Sequence, residues 1–498
     1  MRITRPRAPL PRPFRREGGA GPGSAERPAS LAIAANRARP PVGAEAAPLS
    51  IADAERLRWY RTFQEFYEGK HFAQARRGRT SLVLNYARVI VDKGVSYLLG
   101  DGVGFAVPPV SESDAAARER ARRAETLLYQ VYWDNDLDAV DLQGALNGAI
   151  LGDTVFKVFW DAARGRIRVV NLDPATFFPS WAGDDLGELR AVELRYALEA
   201  SEAERLYGVA GRGLLRVVER WTPDELTVLV DGHEVRRGPN PYQELPFVHI
   251  ANLRPANSFW GVSDLRDVIP LNRELNERVS DQADLIRYHA DPPVIFKGVD
   301  EHSDLAVGPG TVWDIPADAD VKLLEWSGQP PAVQGHIELV LRALYEIAET
   351  PRTAFGDSGR LLSGVALETE LRPLLQKTLR KRVYWTAGLR RRNALVLRLA
   401  ERFGLAEPGS LAPYQSRIVW PPMLPQDHAR EVQEAIALVN AGLRSARTAM
   451  NELGVEHPEE ELARVVADRA LLGASRLPRP GSPIEMAGWE RAGLGTEP

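Results

Sequence analysis

Residues 261–293 read GVSDLRDVIPLNRELNERVSDQADLIRYHADPP, and the rest of the chain can be interpreted outward from this segment. After Pro270, apolar residues recur every three or four positions, which predicts an amphipathic helix that ends near Ala290. Ser263 and Asp264 are candidate N-cap residues for this helix. A helix of about twenty residues forms a rod of roughly 30 Å.

The next segment is predicted to be a small β insertion between two helices. The run Asp291-Pro292-Pro293 forbids further helix, because proline lacks an N–H donor and restricts the residue before it. Short strands are predicted at Val294–Phe296 and Thr311–Ile315, with polar and glycine-rich turns between them. A second helix at Val333–Glu349 then brings the chain back.

A loop and one very long helix complete the central region. Residues 350–363 are polar and rich in glycine and serine, so we expect a loop. Between Gly364 and Phe403 little opposes helix formation except Pro373, which should kink the helix or mark its first turn.

Bulk composition excludes several classes of protein. A chain of 498 residues is too long for one ordinary core and predicts two to four structural units. There is no cysteine, which excludes disulfides, thiolate zinc sites, iron–sulfur clusters and a cysteine nucleophile. No run of eighteen apolar residues predicts a membrane span. The net charge of −4 is not that of a strongly basic nucleic-acid binder.

The flanking regions predict an α+β fold with helical and antiparallel β parts. Residues 1–49 are basic and proline-rich, which is typical of a disordered tail. Helical periodicity dominates residues 51–151, and alternation with a period of two dominates residues 154–252. The predicted strands are 155–160, 166–170, 189–196, 214–221, 226–230 and 247–250. A proline-rich linker, helices and a polar tail are predicted for residues 405–424, 425–473 and 474–498.

No motif in the chain predicts catalysis, a metal site or a cofactor. Walker, Gly-x-Ser-x-Gly, HExxH and Rossmann patterns are absent, and none of the eight histidines forms a ligand pair on one helix. Acidic residues crowd at Asp134, Asp136, Asp138 and Asp141. Because the glycine and distal glutamate of a calcium loop are missing, we interpret them as a solvated acidic turn.

Charge is partitioned unevenly along the central region. Residues 261–349 hold seven Lys/Arg against seventeen Asp/Glu, a local charge of −10. Residues 350–404 hold twelve against four, a local charge of +8. Adjacent blocks of opposite sign predict that the basic helix meets acidic surface on the same chain or on a neighbouring copy. An acidic lining would also suit a passage for DNA, because a strongly basic one would bind the phosphates and resist sliding.

Short motifs over residues 55–470 resemble, in their order and spacing, the portal proteins of tailed bacteriophages, of the siphophage head–tail connector type. The motifs are Tyr67–His71, Val91–Gly100, Gly148–Gly152, Asn171–Pro174, Asn240–Asn252, Gly261–Leu265, Ser363–Leu367 and Ala441–Ser445. The resemblance implies a portal fold with an α/β wing, a two-helix stem, a small β-containing clip, a long kinked helix and a helical crown. The implied boundaries are 50–252 for the wing, 253–290 and 332–349 for the stem helices, 291–331 for the clip, 350–363 for the tunnel loop, 364–404 for the long wing helix and 425–473 for the crown.

The resemblance also implies a function and a set of partners. It implies a ring, usually of twelve copies, at one capsid vertex, which guides double-stranded DNA during packaging and ejection. The implied partners are the terminase large subunit, a head–tail connector or adaptor, and capsid and scaffold proteins, with no cofactor and no membrane. The implied location is the virion, after assembly in the cytoplasm of the bacterial host. Two alternatives stay open: a nucleic-acid-processing enzyme of a packaging system and a structural adaptor without a DNA role.

Three groups of site residues follow from the same resemblance. The residues expected to approach DNA in the tunnel loop are Arg352, Thr353, Asp357 and Arg360. The residues expected at the clip surface are Lys297, His302 and Asp304. The residues expected to form salt bridges between subunits are Arg380, Lys381, Arg390, Arg391 and Arg392.

Overall fold

The computed structural model describes residues 49–72, 79–100, 102–290, 294–297, 320–323, 330–356, 364–424, 428–453, 455 and 458–472. Within it the chain divides into two compact units, the first ending at Pro421 and the second starting at Pro422. The two units are described separately below.

The first unit begins with four helices and then becomes mainly β. In chain order its elements are α1 (Ile51–Tyr67), α2 (Tyr86–Leu99), β1 (Gly104–Ala106), α3 (Ala115–Asp134), α4 (Leu137–Leu151), β2 (Asp153–Asp161), β3 (Arg166–Leu172), β4 (Phe177–Ala182), β5 (Asp185–Glu199), α5 (Ala200–Tyr207), β6 (Leu214–Trp221), β7 (Glu225–Val230), β8 (His233–Pro239) and β9 (Phe247–Ala251). After these come α6 (Val268–Ala290), β10 (Val294–Lys297), β11 (Asp320–Leu323), α7 (Pro330–Ile347), α8 (Gly364–Arg402) and β12 (Arg417–Val419).

Local sequence explains where the early helices start. Ser50, Asn85 and Asp114 precede α1, α2 and α3, and each side-chain oxygen accepts a hydrogen bond from a backbone N–H of the first turn. The helix α4 ends at Gly152, whose φ of +99° is readily adopted only by glycine. A Cβ on Gly152 would also lie 2.7 Å from the carbonyl oxygen of Gly261. Both the backbone conformation and the lack of space therefore require glycine in this turn.

All strand pairs are antiparallel, and the described residues therefore form an α+β fold, as the sequence predicts. A three-stranded sheet has the order β3-β2-β9, and a five-stranded sheet has the order β4-β5-β6-β7-β8. The central strand β2 is almost wholly buried, which matches its run of apolar residues. Two further pairs, β1 with β12 and β10 with β11, each form a two-stranded sheet.

The long helix α8 packs its apolar side on the three-stranded sheet. Trp385 and Leu389 are buried, and Gly388 lies so close to β9 that an added Cβ would come within 2.3 Å of Ile250. Pro373 lies inside α8, nine residues after its start, and so does not mark the first turn.

Most predicted helices and strands agree with the structure, but three details differ. The helix α6 begins at Val268, so Ser263 and Asp264 are not its N-caps; Ser263 instead accepts a hydrogen bond from Leu265 N (3.0 Å) in the preceding turn. The strand that pairs with β10 is Asp320–Leu323, whereas the predicted strand at Thr311–Ile315 lies outside the described residues. Four strands were not predicted: β1 and β12 have only three residues each, β4 is mostly half-buried, and β8 is mostly exposed.

The second unit consists of three helices in its described part. They are α9 (His428–Asn440), α10 (Ala446–Glu452) and α11 (Pro458–Leu472). Gly442 has a φ of +70° in the turn after α9. Ser445 starts α10 by accepting a hydrogen bond from Thr448 N at 3.1 Å.

Candidate functional site at a three-helix junction

A buried carboxylate faces two buried lysines where the chain enters α6. Lys377 and Lys381 are four residues apart on α8, so their side chains lie on one face of the helix. Lys377 Nζ lies 3.3 Å from Asp264 Oδ1, and Lys381 Nζ donates a hydrogen bond to Asp264 Oδ2. Asn252 Nδ2 donates a further hydrogen bond to Asp264 Oδ1 at 3.1 Å. These contacts join α8 to the end of the β region and to the start of α6.

The electrostatics of this cluster reflect two cations that share one anion. Burial alone would raise the pKa of Asp264, but the charges of Lys377 and Lys381 outweigh it and lower the pKa to about 2. Burial lowers the pKa of Lys381, and the charge of Lys377 lowers it further against the attraction of Asp264. The ionised carboxylate is therefore strongly favoured in the folded chain.

The same face of α8 also binds the end of α7. Lys377 Nζ donates a hydrogen bond to the carbonyl oxygen of Ala348 at 3.0 Å. Carbonyl groups at a helix C-terminus lack intrahelical partners, and a cation there is favourable. Arg380 binds both carboxylate oxygens of Glu349 at 2.6 and 2.7 Å. One helix thus connects the beginning of α6 with the end of α7.

The turn after α7 carries two of the predicted DNA-approaching residues. Residues Arg352–Phe355 form a 3-10 turn that ends at Gly356, whose φ is +87°. Arg352 is exposed. Thr353 is half-buried, and its hydroxyl oxygen is buried without a hydrogen-bond partner in the described part of the chain. Asp357 and Arg360 lie outside the described residues.

An open groove of about 610 Å³ lies beside this turn. Three glutamates and two arginines line it, and one of the glutamates, Glu349, is bound by Arg380. The lining residues are Glu338, Leu341, Arg342, Tyr345, Glu346, Glu349, Pro351, Arg352 and Pro373.

An extended segment, residues 79–85, here called the strap, lies along α6. Four α6 side chains accept hydrogen bonds of 2.9 Å from backbone N–H groups: Asp284 from Thr80, Ser280 from Leu82, Asn276 from Leu84 and Asn272 from Ala87. The acceptors recur every fourth residue, roughly 6 Å along a helix. The first three donors recur every second residue, roughly 6.6 Å along an extended chain. Because the two repeats nearly match, the strap is bonded along its length.

His71 supports the middle of this ladder. Its Nε2 lies 2.9 Å from the carbonyl oxygen of Phe66, and its Nδ1 is paired with the amide nitrogen of Asn276. A carbonyl accepts and an amide nitrogen donates, so the ring is neutral with its proton on Nε2. Burial lowers the pKa of His71, which favours the same neutral form.

The structure places the other predicted site residues in different surroundings. Lys297 is exposed at the end of β10, while His302 and Asp304 lie outside the described residues. On α8, Arg380 is exposed but bound to Glu349, and Arg390 and Arg391 are exposed. Lys381 is buried and forms an ion pair with Asp264, and Arg392 is fully buried and forms an ion pair with Asp141. Both cations therefore have their counter-charges within their own chain.

Arg392 corrects the interpretation of the acidic residues between α3 and α4. Its guanidinium forms a two-pronged ion pair with Asp141 and donates to the hydroxyl of Tyr132 at 2.7 Å. Asp141 is therefore a buried ion-pair partner and not part of a solvated turn. The charge of Asp141 raises the pKa of Arg392 against the effect of burial, which lowers it.

Sequence reasoning missed the Asp264 cluster and the polar ladder on α6. Both carried a signal in the spacing of residues. Lys377 and Lys381 stand four apart in a chain that has only seven lysines. The four ladder residues also stand four apart on one helix, which marks a polar stripe that needs partners.

A buried histidine–carboxylate pair in the β region is satisfied structurally. His249 Nε2 lies 2.7 Å from Asp153 Oδ1, which also accepts from the N–H of Gly261 at 2.9 Å. Tyr60 donates its hydroxyl proton to Asp153 Oδ2 at 2.6 Å. In the described part of the chain, no group of three or more His, Asp or Glu residues is placed to hold a metal ion. Among the described helices, none is long and apolar enough to cross a membrane.

Comparison with known protein families gave a match. A family model described as phage portal protein, SPP1 Gp6-like, matches residues 48–470. No curated protein matches the chain.

Proposed function

The chain belongs to the SPP1 Gp6-like family of phage portal proteins, and from this premise we propose that its copies close into a ring at one capsid vertex. The family consists of virion capsid components that associate with copies of themselves, and it is structural in character. The ring is proposed to be the conduit through which double-stranded DNA enters during packaging and leaves during ejection.

Each proposed part of the ring corresponds to elements of the chain. We assign α6 and α7 to the stem, β10 and β11 to the clip, the turn after α7 to the tunnel loop, residues 50–252 with α8 to the wing, and α9 to α11 to the crown. The clip surface around Lys297, His302 and Asp304 would receive the terminase large subunit, whose motor hydrolyses ATP, and later a head–tail adaptor. Capsid and scaffold proteins would contact the ring during assembly.

The observation that supports this proposal most is the junction at Asp264. The helix α8 holds the start of α6 through Lys377 and Lys381, and it holds the end of α7 through Ala348 and Glu349. A conduit must keep its lining helices in position while DNA moves past them. The buried ion pair at the start of α6 and the capping contacts at the end of α7 meet this requirement, because removing one partner of a buried ion pair strongly destabilises the fold.

Charge along α7 suits a surface that DNA passes without being held. Glu338 and Glu346 outnumber Arg342 on the side of α7 that lines the groove. Duplex DNA carries one negative charge about every 1.7 Å, and each phosphate contact with a basic residue adds affinity. We propose that Arg352 and Thr353, with Asp357 and Arg360, make the few closer approaches to DNA from the tunnel loop.

Electron microscopy and mass measurement of the full chain test this proposal. Negatively stained protein should show rings with a central hole, and mass photometry should give a mass near twelve times 55.1 kDa. A protein that remains monomeric at the highest soluble concentration would contradict the proposed ring.

Two other functions remain as measurable alternatives. A nucleic-acid-processing enzyme would release cleaved DNA in the presence of magnesium or manganese. An adaptor without a DNA role would assemble normally but would leave phage particles able to package a genome after its tunnel loop is replaced. The proposed conduit predicts no cleavage and a loss of packaged DNA.

A further inference from the structure

The helix pair α6 and α7 carries two different surfaces, the strap on α6 and the groove beside α7. On α6, Asn272 donates a hydrogen bond to the carbonyl oxygen of Leu84 in the strap and Asn276 accepts one from Leu84 N, whereas Glu274 contacts His336 of α7 at 3.1 Å. At about 100° per residue, Glu274 lies about 200° from Asn272 and about 160° from Asn276 around the helix. The strap and α7 therefore lie on opposite sides of α6.

A similar argument places the groove on the far side of α7. Val340 and Leu344 are buried on α7, which packs against α6. Glu338 and Arg342, which line the groove, each lie two residues from Val340, about 200° around the helix. The strap and the groove are therefore two different surfaces, which approach each other only where Tyr345 of the groove packs edge-on against Tyr86, the residue after the strap.

The exposed side of the strap is apolar. Leu82, Val83 and Leu84 are 40, 42 and 39% exposed, which is unusual for three consecutive large apolar residues. In an extended chain successive N–H groups point to opposite sides, so those between the bonded positions point away from α6. Exposed Arg79 flanks this apolar patch with positive charge, whereas Arg88 on the other side is paired with Asp92 at 3.5 Å.

We propose that the strap of one copy docks into the groove of the next copy around the ring. The inference rests on the proposed function and adds to it the surfaces that meet. A ring requires a head-to-tail contact between two different faces of each subunit, and the strap and the groove are two such faces. Charge supports the pairing along α7, because exposed Arg79 flanks the strap and the groove side of α7 carries Glu338 and Glu346 against Arg342. The occupant of the groove is therefore a second copy of this chain.

Cysteine cross-linking of the full chain tests the contact, since the natural sequence has no cysteine. Val83→Cys is combined in turn with Glu338→Cys, Arg342→Cys or Glu346→Cys, which are spaced along α7 so that the register need not be known. Each double variant is oxidised, and a short bis-maleimide is used in parallel. A matched control replaces Val83→Cys with Val110→Cys, since Val110 is 75% exposed and lies outside the strap.

The expected result is a covalent ladder at multiples of 55.1 kDa for at least one double variant, with most of the protein above the monomer band. A mixture of the two single variants should give dimers only. The single variant Val83→Cys should give none, and dimers from it would overturn the inference by showing a strap-to-strap contact. Rings that form without any strap-to-groove cross-link would overturn the inference alone. A chain that stays monomeric would overturn the proposed ring as well.

Discussion

Replacing Asp264 by asparagine should destabilise the first unit more than any change to either lysine that faces it. The cluster holds two cations and one anion, and all three charged side chains are less than a tenth exposed. Asp264→Asn leaves Lys377 and Lys381 buried without a counter-charge, for which we expect a cost of about 3–5 kcal/mol. At about 2.1 cal/mol/K per residue of unfolding entropy, this lowers the Tm by roughly 4–6 °C.

Lys381→Met is the informative comparison, because it leaves Asp264 paired with Lys377. We expect a cost below about 2 kcal/mol, the typical value of one charged hydrogen bond. Thermal unfolding followed by circular dichroism at one fixed protein concentration compares the variants, since the stability of an oligomer depends on concentration. Equal stability of Asp264→Asn and the unchanged protein, or a larger loss for Lys381→Met, would refute the two-to-one charge argument.

Acid titration offers an independent measure of the same interaction. The pKa of Asp264 is lowered from its ordinary value of 3.8 to about 2. A carboxylate with a lowered pKa stabilises the fold above its unfolded pKa and loses that effect as the pH falls toward its folded pKa. The lowered pKa of Asp264 corresponds to about 2 kcal/mol of folding stability over this pH range. The stability difference between the unchanged protein and Asp264→Asn should therefore shrink by about this amount between pH 5 and pH 2.

Three further substitutions probe other parts of the structure, each by unfolding at a fixed concentration. Arg392→Met leaves the buried carboxylate of Asp141 without its counter-charge and should lower the free energy of unfolding by about 3–5 kcal/mol. Arg391→Met, at an exposed neighbouring position, should change it by less than about 0.5 kcal/mol. Equal effects of the two substitutions would contradict the buried ion pair. Asn276→Ala removes an acceptor of the strap and should cost about 1–3 kcal/mol, with faster amide hydrogen exchange in the strap but not in β2. Gly388→Ala should lower the free energy of unfolding by about 1–3 kcal/mol, because the added Cβ overpacks against β9. Gly335→Ala, where an added Cβ meets open space, should leave the free energy of unfolding unchanged or raise it by up to about 1 kcal/mol. A Gly388→Ala protein as stable as the unchanged one would refute the close approach of α8 to β9.

Secondary structure was largely predictable from local patterns. The helices α3 and α4 lie within residues 51–151, where helical periodicity was predicted, and a capping aspartate before α3 and a glycine after α4 mark their ends. The strand β6 matches the predicted Leu214–Trp221, because its alternation of side chains is regular. Strands β4 and β8 escaped prediction, since pairing with a neighbour and not their own composition makes them strands.

The partners of the charged residues were not predictable in the same way. The sequence shows a block of charge −10 followed by one of +8, which predicted that the basic helix meets acidic surface on the same chain or on a neighbouring copy without naming the partners. In the structure, three of the cations of α8 form ion pairs within the same chain: Lys377 and Lys381 bind Asp264, and Arg392 binds Asp141. Charge counts do not show which face of a helix is buried, because burial depends on what packs against it.

The sequence by itself determined the α+β class, the long helices, the absence of cysteine chemistry and the resemblance to portal proteins. Each of these depends on residue type and on spacing within a few positions. Only the tertiary structure decided that Asp264 lies between two lysines 113 and 117 residues away, and that the strap bonds to α6 almost two hundred residues further on. Such contacts depend on how distant segments fold back on each other, and no local pattern in the chain encodes that distance.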